Sequence, residues 1–287
     1  MLKRPRFLKK SLATYHPWLY HLMIFIKRIE RHLEWKFDAR QYAKDFKSEA
    51  LGFRVKKHQS VLIRKYANNS DMQLQYNKVE NLKLVIELLD GIVIKPNETF
   101  SFYQLVGKPT EKRGFKRGME LSRGEARAGV GGGICQSSNL IYWLVLHSPL
   151  VVVERHHHSF DPFPDTGRVL PFASGATVMY NYRDLRFHNP TEQIFQLHLW
   201  LDNKCLNGDL RTNIEMTEKY HVYEKEHRFE KQEEEYFRTN ELWREVKSKG
   251  REVTVLEQEF LVLNYAEVKY VPNSHGYYSN NRIIQDQ

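Results

Sequence analysis

The segment Gly131-Gly-Gly-Ile-Cys-Gln-Ser-Ser-Asn-Leu-Ile-Tyr-Trp-Leu-Val-Leu-His147 contains the clearest structural signal in this chain. Its apolar side chains recur at the spacing of a helix face: Leu140, Ile141, Leu144 and Val145. A helix is predicted from about Cys135 to His147, and it ends before Pro149 because the residue before a proline avoids the helical region. The apolar run from Leu150 to Arg155 is typical of a strand buried on both faces. The segment therefore predicts a helix that packs on a sheet.

The sequence on both sides of this segment predicts further helices and strands. Upstream, residues 74–90 have helical periodicity and end at Gly91, where a C-terminal cap is expected, and two short strands follow at 92–94 and 99–102. Downstream, residues 176–189 and 194–202 resemble strands, and the second alternates as a half-exposed strand does. The highly charged residues 220–247 fit either paired polar strands or a solvated helix, and Val253 to Tyr270 could pair with them as a hairpin.

The N-terminal 66 residues are unusually basic. They contain 17 Lys and Arg against five acids, so they carry +12 while the whole chain carries +9. Apolar residues in 17–49 recur every three or four positions, as on one face of an amphipathic helix: Leu19, Leu22, Met23, Ile26, Ile29, Leu33 and Phe37. The main interpretation is a helix packed on the domain through this apolar face. The alternative is a helix that binds an anionic membrane surface.

Composition and length predict a folded α+β protein. Its 287 residues are 41% hydrophobic and 28% charged, which are ordinary globular values. We expect a twisted, mainly antiparallel sheet with packed helices, preceded by a basic helical N-terminal arm. The predicted divisions are an arm at 1–66, a core domain at 67–210 and a charged, β-rich extension at 211–287.

Several broad classes are disfavoured. The apolar stretch Leu22 to Ile26 is followed at once by Lys27-Arg28, so it is too short for a membrane span, and no cleavage site follows it. We therefore expect a cytoplasmic protein, peripheral at the membrane if residues 1–66 bind lipid. No helix-turn-helix, RNA-binding motif or zinc finger is present, so no nucleic-acid partner is expected. With only Cys135 and Cys205, a disulfide framework is not expected either.

Cys135 has the most informative chemical context. Eight of the 15 glycines fall in residues 107–133, and the last three directly precede the helix that Cys135 begins. The free N–H groups and dipole at a helix start lower a thiol pKa and can hold an oxyanion. Gln136, Ser137 and Ser138 add donors, and the cluster His156-His157-His158 could supply a base.

Other interpretations of these residues remain open. A lone cysteine in the first turn of a helix is commonly a small packed residue. The three histidines could form a solvated loop, or one or two of them could bind a transition metal with Cys135. Neither serine has the Gly-x-Ser-x-Gly spacing of a hydrolase nucleophile. No cofactor is expected, and Cys205 lies in a turn-like context without an evident partner.

An ordered set of motifs resembles the VanW family over residues 75–202. The matching segments are Asn81-Leu-Lys-Leu84, Lys95-Pro-Asn-Glu-Thr-Phe-Ser-Phe102, Val106-Gly107, Arg113-Gly-Phe115, Gly131-Gly-Gly-Ile-Cys-Gln136, Glu154-Arg155 with His158-Ser159, and Asp184-Leu-Arg-Phe-His-Asn189. In many family members an Arg-Asp pair precedes the Ala-Thr-Val strand. Here Ser174-Gly175 stands in its place.

The resemblance implies an accessory protein of vancomycin resistance, linked to peptidoglycan metabolism. Some VanW domains are associated with L,D-transpeptidase activity, which would make Cys135 the nucleophile and His158 its candidate partner. Our hypothesis of a catalytic site adds Asp184 to these two residues. The residues then expected to bind substrate are Gly131, Gly132, Gly133, Gln136, Ser137 and Arg155.

Two functions without catalysis compete with the enzyme. The glycine-rich segment could bind a peptidoglycan precursor or the terminus of a protein, or the chain could be a structural partner of other resistance proteins.

Overall fold

The computed structural model describes residues 17–63, 69–122, 125–157, 160–161, 169–180, 182–232, 234–250 and 252–272. Four helices lie in this part of the chain: α1 (Pro17–Phe37), α2 (Asn69–Leu89), α3 (Phe102–Val106) and α4 (Cys135–Leu146). The strands are β1 (Gln41–Tyr42), β2 (Asp45–Phe46), β3 (Phe53–Val61), β4 (Ile92–Ile94), β5 (Glu98–Ser101), β6 (Arg117–Ser122), β7 (Glu125–Val130), β8 (Val151–Glu154), β9 (Phe160–Asp161), β10 (Arg186–His188), β11 (Phe195–Leu201), β12 (Cys205–Thr212), β13 (Glu218–Gln232), β14 (Glu235–Ser248) and β15 (Val255–Val268).

The strands form four sheets, which confirms the predicted α+β class. One sheet has the order β2-β4-β11-β12-β3, a second has β1-β5-β10-β8, and a third has β13-β14-β15-β9, while β6 and β7 form a separate hairpin. Among the described strands, the β1–β5 and β9–β15 pairs are parallel and the other pairs are antiparallel.

Helix α4 is the centre of the hydrophobic core. Nine of its residues are buried, and it packs on β3, β8 and β12. Gly208 in β12 allows the closest approach, because a Cβ there would lie 2.5 Å from Leu140 Cδ2. Next to this layer, the rings of Phe100 and Phe187 stack with centroids 4.5 Å apart. The core therefore holds the start of α4 in a fixed position.

Most predicted elements are confirmed. Helix α4 begins at the predicted residue, and both helices end within one residue of the predicted position, but α2 begins at Asn69, five residues before its predicted start. Gly91 follows α2 with a positive φ of 79°. Residues 220–247, for which the sequence left two alternatives, form β13 and β14, and β15 pairs with β14. The C-terminal extension is thus a three-stranded antiparallel meander.

Three strand predictions were wrong in detail. Strand β8 was expected to be buried on both faces, but Val151 and Val153 are exposed because they share one face of the strand, and the opposite face, with Val152, packs on the core. Strand β11 was expected to be half exposed, but it lies between β4 and β12 and is mostly buried. Of the strand expected at 176–189, only β10 is formed.

The N-terminal arm also differs from its prediction. The helix expected over 17–49 ends at Phe37, and residues 41–61 contribute β1, β2 and β3 to the two core sheets. The apolar face of α1 was expected to pack on the domain, but it points to solvent, since the opposite face of the helix makes the contacts with the domain. In the part of the chain that the structure describes, no helix has both the length and the hydrophobicity needed to cross a bilayer.

Candidate functional site

Cys135 is the first residue of α4, and its thiol is enclosed by protein. The Sγ donates to the Val178 carbonyl at 3.5 Å, and burial raises the pKa of the thiol, although the residue as a whole keeps partial contact with solvent. The sequence predicted a lowered pKa at this helix start. The helix-start donors are partly used within the turn, because Gln136 N–H donates to Gly133 and Ser137 N–H to Ile134, both at 3.0 Å.

The three glycines before Cys135 allow the backbone to pack closely. Gly131 and Gly133 have positive φ values of 77° and 91°. Gly132 crosses the backbone of Gly118 in β6, where an added Cβ would lie 2.1 Å from the Gly118 carbonyl oxygen. Their conformation therefore has a structural explanation that requires no ligand.

The side chain of Asn81, in α2, is hydrogen-bonded to the glycine turn and to the residue before β6. Its side chain is fully buried, and its Nδ2 donates to the carbonyls of Gly132 and Lys116, both at 2.9 Å. Its Oδ1 accepts from the Lys116 N–H at 2.7 Å. The glycine turn is thereby closed against α2 and β6.

The polar residues that follow Cys135 also bind within the protein. Gln136 Nε2 donates to the Val61 carbonyl at 2.9 Å and so ties α4 to the end of β3. Ser137 Oγ donates to Ile134 and Ser138 Oγ to Ala176, both at 2.6 Å. That Gln136 and Ser137 bind substrate stays a prediction. To do so, their side chains would have to give up these internal hydrogen bonds for bonds to the substrate.

Asp184 is hydrogen-bonded to the start of α3, and no described hydrogen bond joins it to Cys135. Its carboxylate accepts hydrogen bonds from Ser101 Oγ and from the Tyr103 N–H at the start of α3, and burial raises its pKa to about 6. The ring of Tyr103 is buried, which raises the pKa of its phenol, and the charges of Cys135 and Asp184 raise it further. Of the two predicted catalytic residues, Asp184 therefore contacts Tyr103 directly, through the backbone N–H.

The predicted base, His158, lies outside the described residues. Nearby, the imidazole of His156 contacts Glu154 Oε1 through Nε2 at 2.9 Å, so its described partner is a carboxylate and not the thiol. Within the described ranges, no three His, Cys, Asp or Glu side chains converge as metal ligands would.

Arg155 connects three parts of the fold. Its guanidinium donates to the carbonyls of Gly175 and Ala173 and to Asn264 Oδ1 in β15, and it lies over the ring of Tyr142. Burial lowers the pKa of this guanidinium. Arg155 therefore holds the loop before Ala176 and the C-terminal meander against α4.

Sequence reasoning missed a buried cluster of charges centred on Glu154. Its carboxylate accepts two hydrogen bonds of 2.7 Å from Arg31 of α1 and pairs with Arg186 at 2.6 Å. Although burial opposes ionisation, bonds from His156, Arg31 and the Asp184 backbone lower the pKa of Glu154 to about 2. The available signal was a charged residue at the end of an apolar strand, since such residues are rarely buried unless paired.

An open cleft borders the glycine turn. Its volume is about 430 Å³, and Lys116, whose backbone binds Asn81, forms part of its wall. Leu62, Ile63, Tyr76, Asn77, Glu80, Asp202 and Asn203 are among its other lining residues. Cys135 is not among the described residues that line this cleft.

The arrangement can be compared with known proteins. A family model described as VanW-like protein matches residues 77–211, from α2 to the end of β12. The vancomycin B-type resistance protein VanW of Enterococcus faecalis is 32% identical over 204 residues, which are 70% of this chain and 73% of that protein. The chain belongs to the VanW family.

A second relative is matched over a shorter part of the chain. The uncharacterized protein YoaR of Bacillus subtilis is 36% identical over 129 residues, or 45% of this chain and 39% of that protein. No solved structure matches the chain. The family model includes the glycine turn, Cys135, Glu154, Arg155 and Asp184, so the described site lies within the part that VanW proteins share.

Proposed function

We propose that this protein is an accessory protein of vancomycin resistance that acts in peptidoglycan metabolism. The observation that supports this most directly is the match to the Enterococcus VanW protein, which extends over 73% of that protein. We further propose that the protein contributes by binding a peptidoglycan precursor and not by thiol chemistry.

The surroundings of Cys135 favour binding over catalysis. A thiolate is the nucleophilic form of cysteine, and a raised pKa reduces its population at neutral pH. The neighbouring donors Gln136 and Ser137 already have internal partners. The best-defined role of this region is therefore to hold α4, β3 and the glycine turn together.

The cleft beside the glycine turn is the favoured binding site. Its volume lies within the usual range of small-ligand pockets, about 300–1,000 Å³. Tyr76 is 55% exposed and offers an aromatic surface, and the exposed Lys116 can pair with the terminal carboxylate of a peptide. These groups suit a precursor that combines a sugar with a short peptide.

Calorimetric titration with a nucleotide-linked muramyl pentapeptide tests this binding. We expect the wild type and Cys135→Ala to bind equally, and Tyr76→Ala to bind at least about tenfold more weakly, a loss of about 1.4 kcal/mol. Phe260→Ala removes a similarly exposed ring from β15 and is the matched control. Absence of binding by the wild type, or unchanged binding by Tyr76→Ala, contradicts the proposal.

Thiol-dependent acyl transfer is the second candidate. It is favoured by the position of Cys135 at the start of α4, directly after the glycine turn, and by the partial exposure of this residue. The thiolate would attack a peptide carbonyl, release an amine and form a thioester, which a second amine would then cleave. A covalent adduct seen by mass spectrometry in the wild type, and lost in Cys135→Ala, would establish this reaction in place of simple binding.

A further inference from the structure

Helix α1 exposes a broad and mainly apolar face, whose sector also includes the charged residues Glu30 and Lys36. The side chains on this face are between 37% and 74% exposed. They are Trp18, Leu22, Met23, Phe25, Ile26, Ile29, Leu33 and Phe37. At 100° per residue they extend from Phe25 to Met23 around about 160° of the helix, wider than the apolar stripe with which a typical surface helix faces its core. The face is therefore a large hydrophobic surface directed away from the domain.

Buried charges fix this orientation. Arg31, on the opposite side of α1, is 8% exposed and forms the two hydrogen bonds to Glu154. Glu34 pairs with Arg186 at 2.7 Å, and Arg28 lies over the ring of Tyr180. If α1 rotated so that its apolar face pointed inward, the buried charges of Glu154 and Arg186 would lose their partners on the helix. Leaving buried charges unpaired costs free energy. The contacts of the polar side of α1 therefore keep its apolar face exposed.

We propose that α1 lies in the interface of an anionic lipid bilayer, with its apolar face among the acyl chains. The charge beside the helix favours lipid as the occupant. Residues 1–16, which directly precede α1 in the sequence, contain five basic residues and no acidic ones, and basic residues next to an interfacial helix strengthen its attraction to an anionic surface. The rings of Trp18, Phe25 and Phe37 are typical of helices that lie in this interface.

The width of the face argues against a second copy of the chain as its occupant. A two-stranded helical pair buries a narrow seam with a repeat of 3.5 residues. In α1, Trp18, Phe25 and Ile29 lie on one border of the face and Met23 lies on the other, so most of its width would stay exposed in such a pair. The inference is independent of the proposed precursor binding.

Co-sedimentation of the full chain with lipid vesicles tests the proposal. Vesicles of phosphatidylglycerol and phosphatidylcholine should bring down the protein at low salt, and vesicles of phosphatidylcholine alone should bring down much less. Raising the salt to about 0.5 M should weaken binding, because exposed charges are then screened within a few ångströms. Failure to sediment with anionic vesicles at low salt overturns the proposal.

Matched variants test whether α1 is the binding surface. The triple variant Leu22→Ser, Phe25→Ser, Ile29→Ser should lose at least about tenfold in vesicle binding, since interfacial affinity scales with buried apolar area. The control Val253→Ser, Val255→Ser, Leu256→Ser changes exposed apolar residues in and beside β15 and should bind as the wild type does. Circular dichroism should be unchanged in both, because the altered side chains are exposed.

Two results would contradict this account. Unchanged vesicle binding by the triple variant would mean that the apolar face does not enter the bilayer. A wild-type dimer that the triple variant dissociates, again with unchanged vesicle binding, would assign the face to a second copy of the chain.

Discussion

The glycine turn before α4 gives the sharpest test at the scale of single residues. In Gly132→Ala the new Cβ would lie 2.1 Å from the Gly118 carbonyl oxygen, so the two backbones must separate. We expect the free energy of unfolding, measured with urea, to fall by about 2 kcal/mol or more. Gly52→Ala is the control, because nothing lies within 4 Å of its Cβ position, and its stability should change by less than about 1 kcal/mol. Similar losses in both variants would contradict the packing explanation.

The reactivity of Cys135 reports directly on the state of its thiol. In a Cys205→Ser background, alkylation by iodoacetamide should have a midpoint above about 8.5, the value of an unhindered cysteine, because burial disfavours the thiolate. A midpoint below about 7 would instead identify an activated nucleophile and favour acyl transfer.

Asp184 should make stability depend on pH in an unusual direction. Its pKa is raised from 3.8 to about 6 in the folded protein, so the folded state binds a proton that the unfolded state releases. Asp184 therefore stabilises the folded state below about pH 4, and this stabilisation is lost as the pH rises through about 6. The free energy of unfolding should fall by on the order of 3 kcal/mol over this range.

The variant Asp184→Asn should remove this dependence. Urea unfolding at pH 4, 5 and 6 should show a fall in stability in the wild type that is greatly reduced in the variant. Glu154 opposes the trend only at lower pH, since its pKa of about 2 adds stability that is lost as pH falls below about 4.5. Identical pH profiles for the two proteins would contradict the assignment.

The docking of α1 is the most testable contact between elements. Glu154→Ala leaves Arg31 and Arg186 without their shared partner, and breaking such a buried pair costs about 3–5 kcal/mol. Hydrogen exchange should accelerate throughout α1 before it does in α4. Glu80→Ala removes an exposed pair with Lys83 and should cost less than about 0.5 kcal/mol. Unchanged protection of α1 in Glu154→Ala would mean that other contacts dock the helix.

Sequence patterns predicted elements well where the signal is local. Helices α2 and α4 have their own periodicity and are ended by Gly91 and by the segment before Pro149, so their bounds follow from nearby residues. The burial of β8 and β11 depends on their neighbours in the sheets and on what packs on each face. The periodicity of one segment contains no information about these neighbours. The orientation of α1 depends on a partner, Glu154, that is 123 residues away in the chain.

For the whole molecule, the sequence predicted the family, while the proposed roles of Cys135 and its neighbours stay predictions. The glycine turn and Cys135 were identifiable because their spacing is unusual. That Gly132 packs on Gly118, that Gln136 holds β3 and that Arg155 joins the meander to the core are contacts between distant segments. Periodicity and spacing contain no information on such contacts, so the sequence predicted these residues as substrate-binding without their packing partners.

Vancomycin susceptibility of a bacterial host tests the proposed resistance role. The host would carry a vancomycin-resistance cluster without its own VanW-family gene and would express either the wild-type chain, Cys135→Ala or Tyr76→Ala at equal levels. We expect the wild type and Cys135→Ala to raise the inhibitory vancomycin concentration equally and Tyr76→Ala to raise it much less. If the wild type has no effect, the resistance role is contradicted. If Cys135→Ala alone abolishes the effect, binding without thiol chemistry is contradicted.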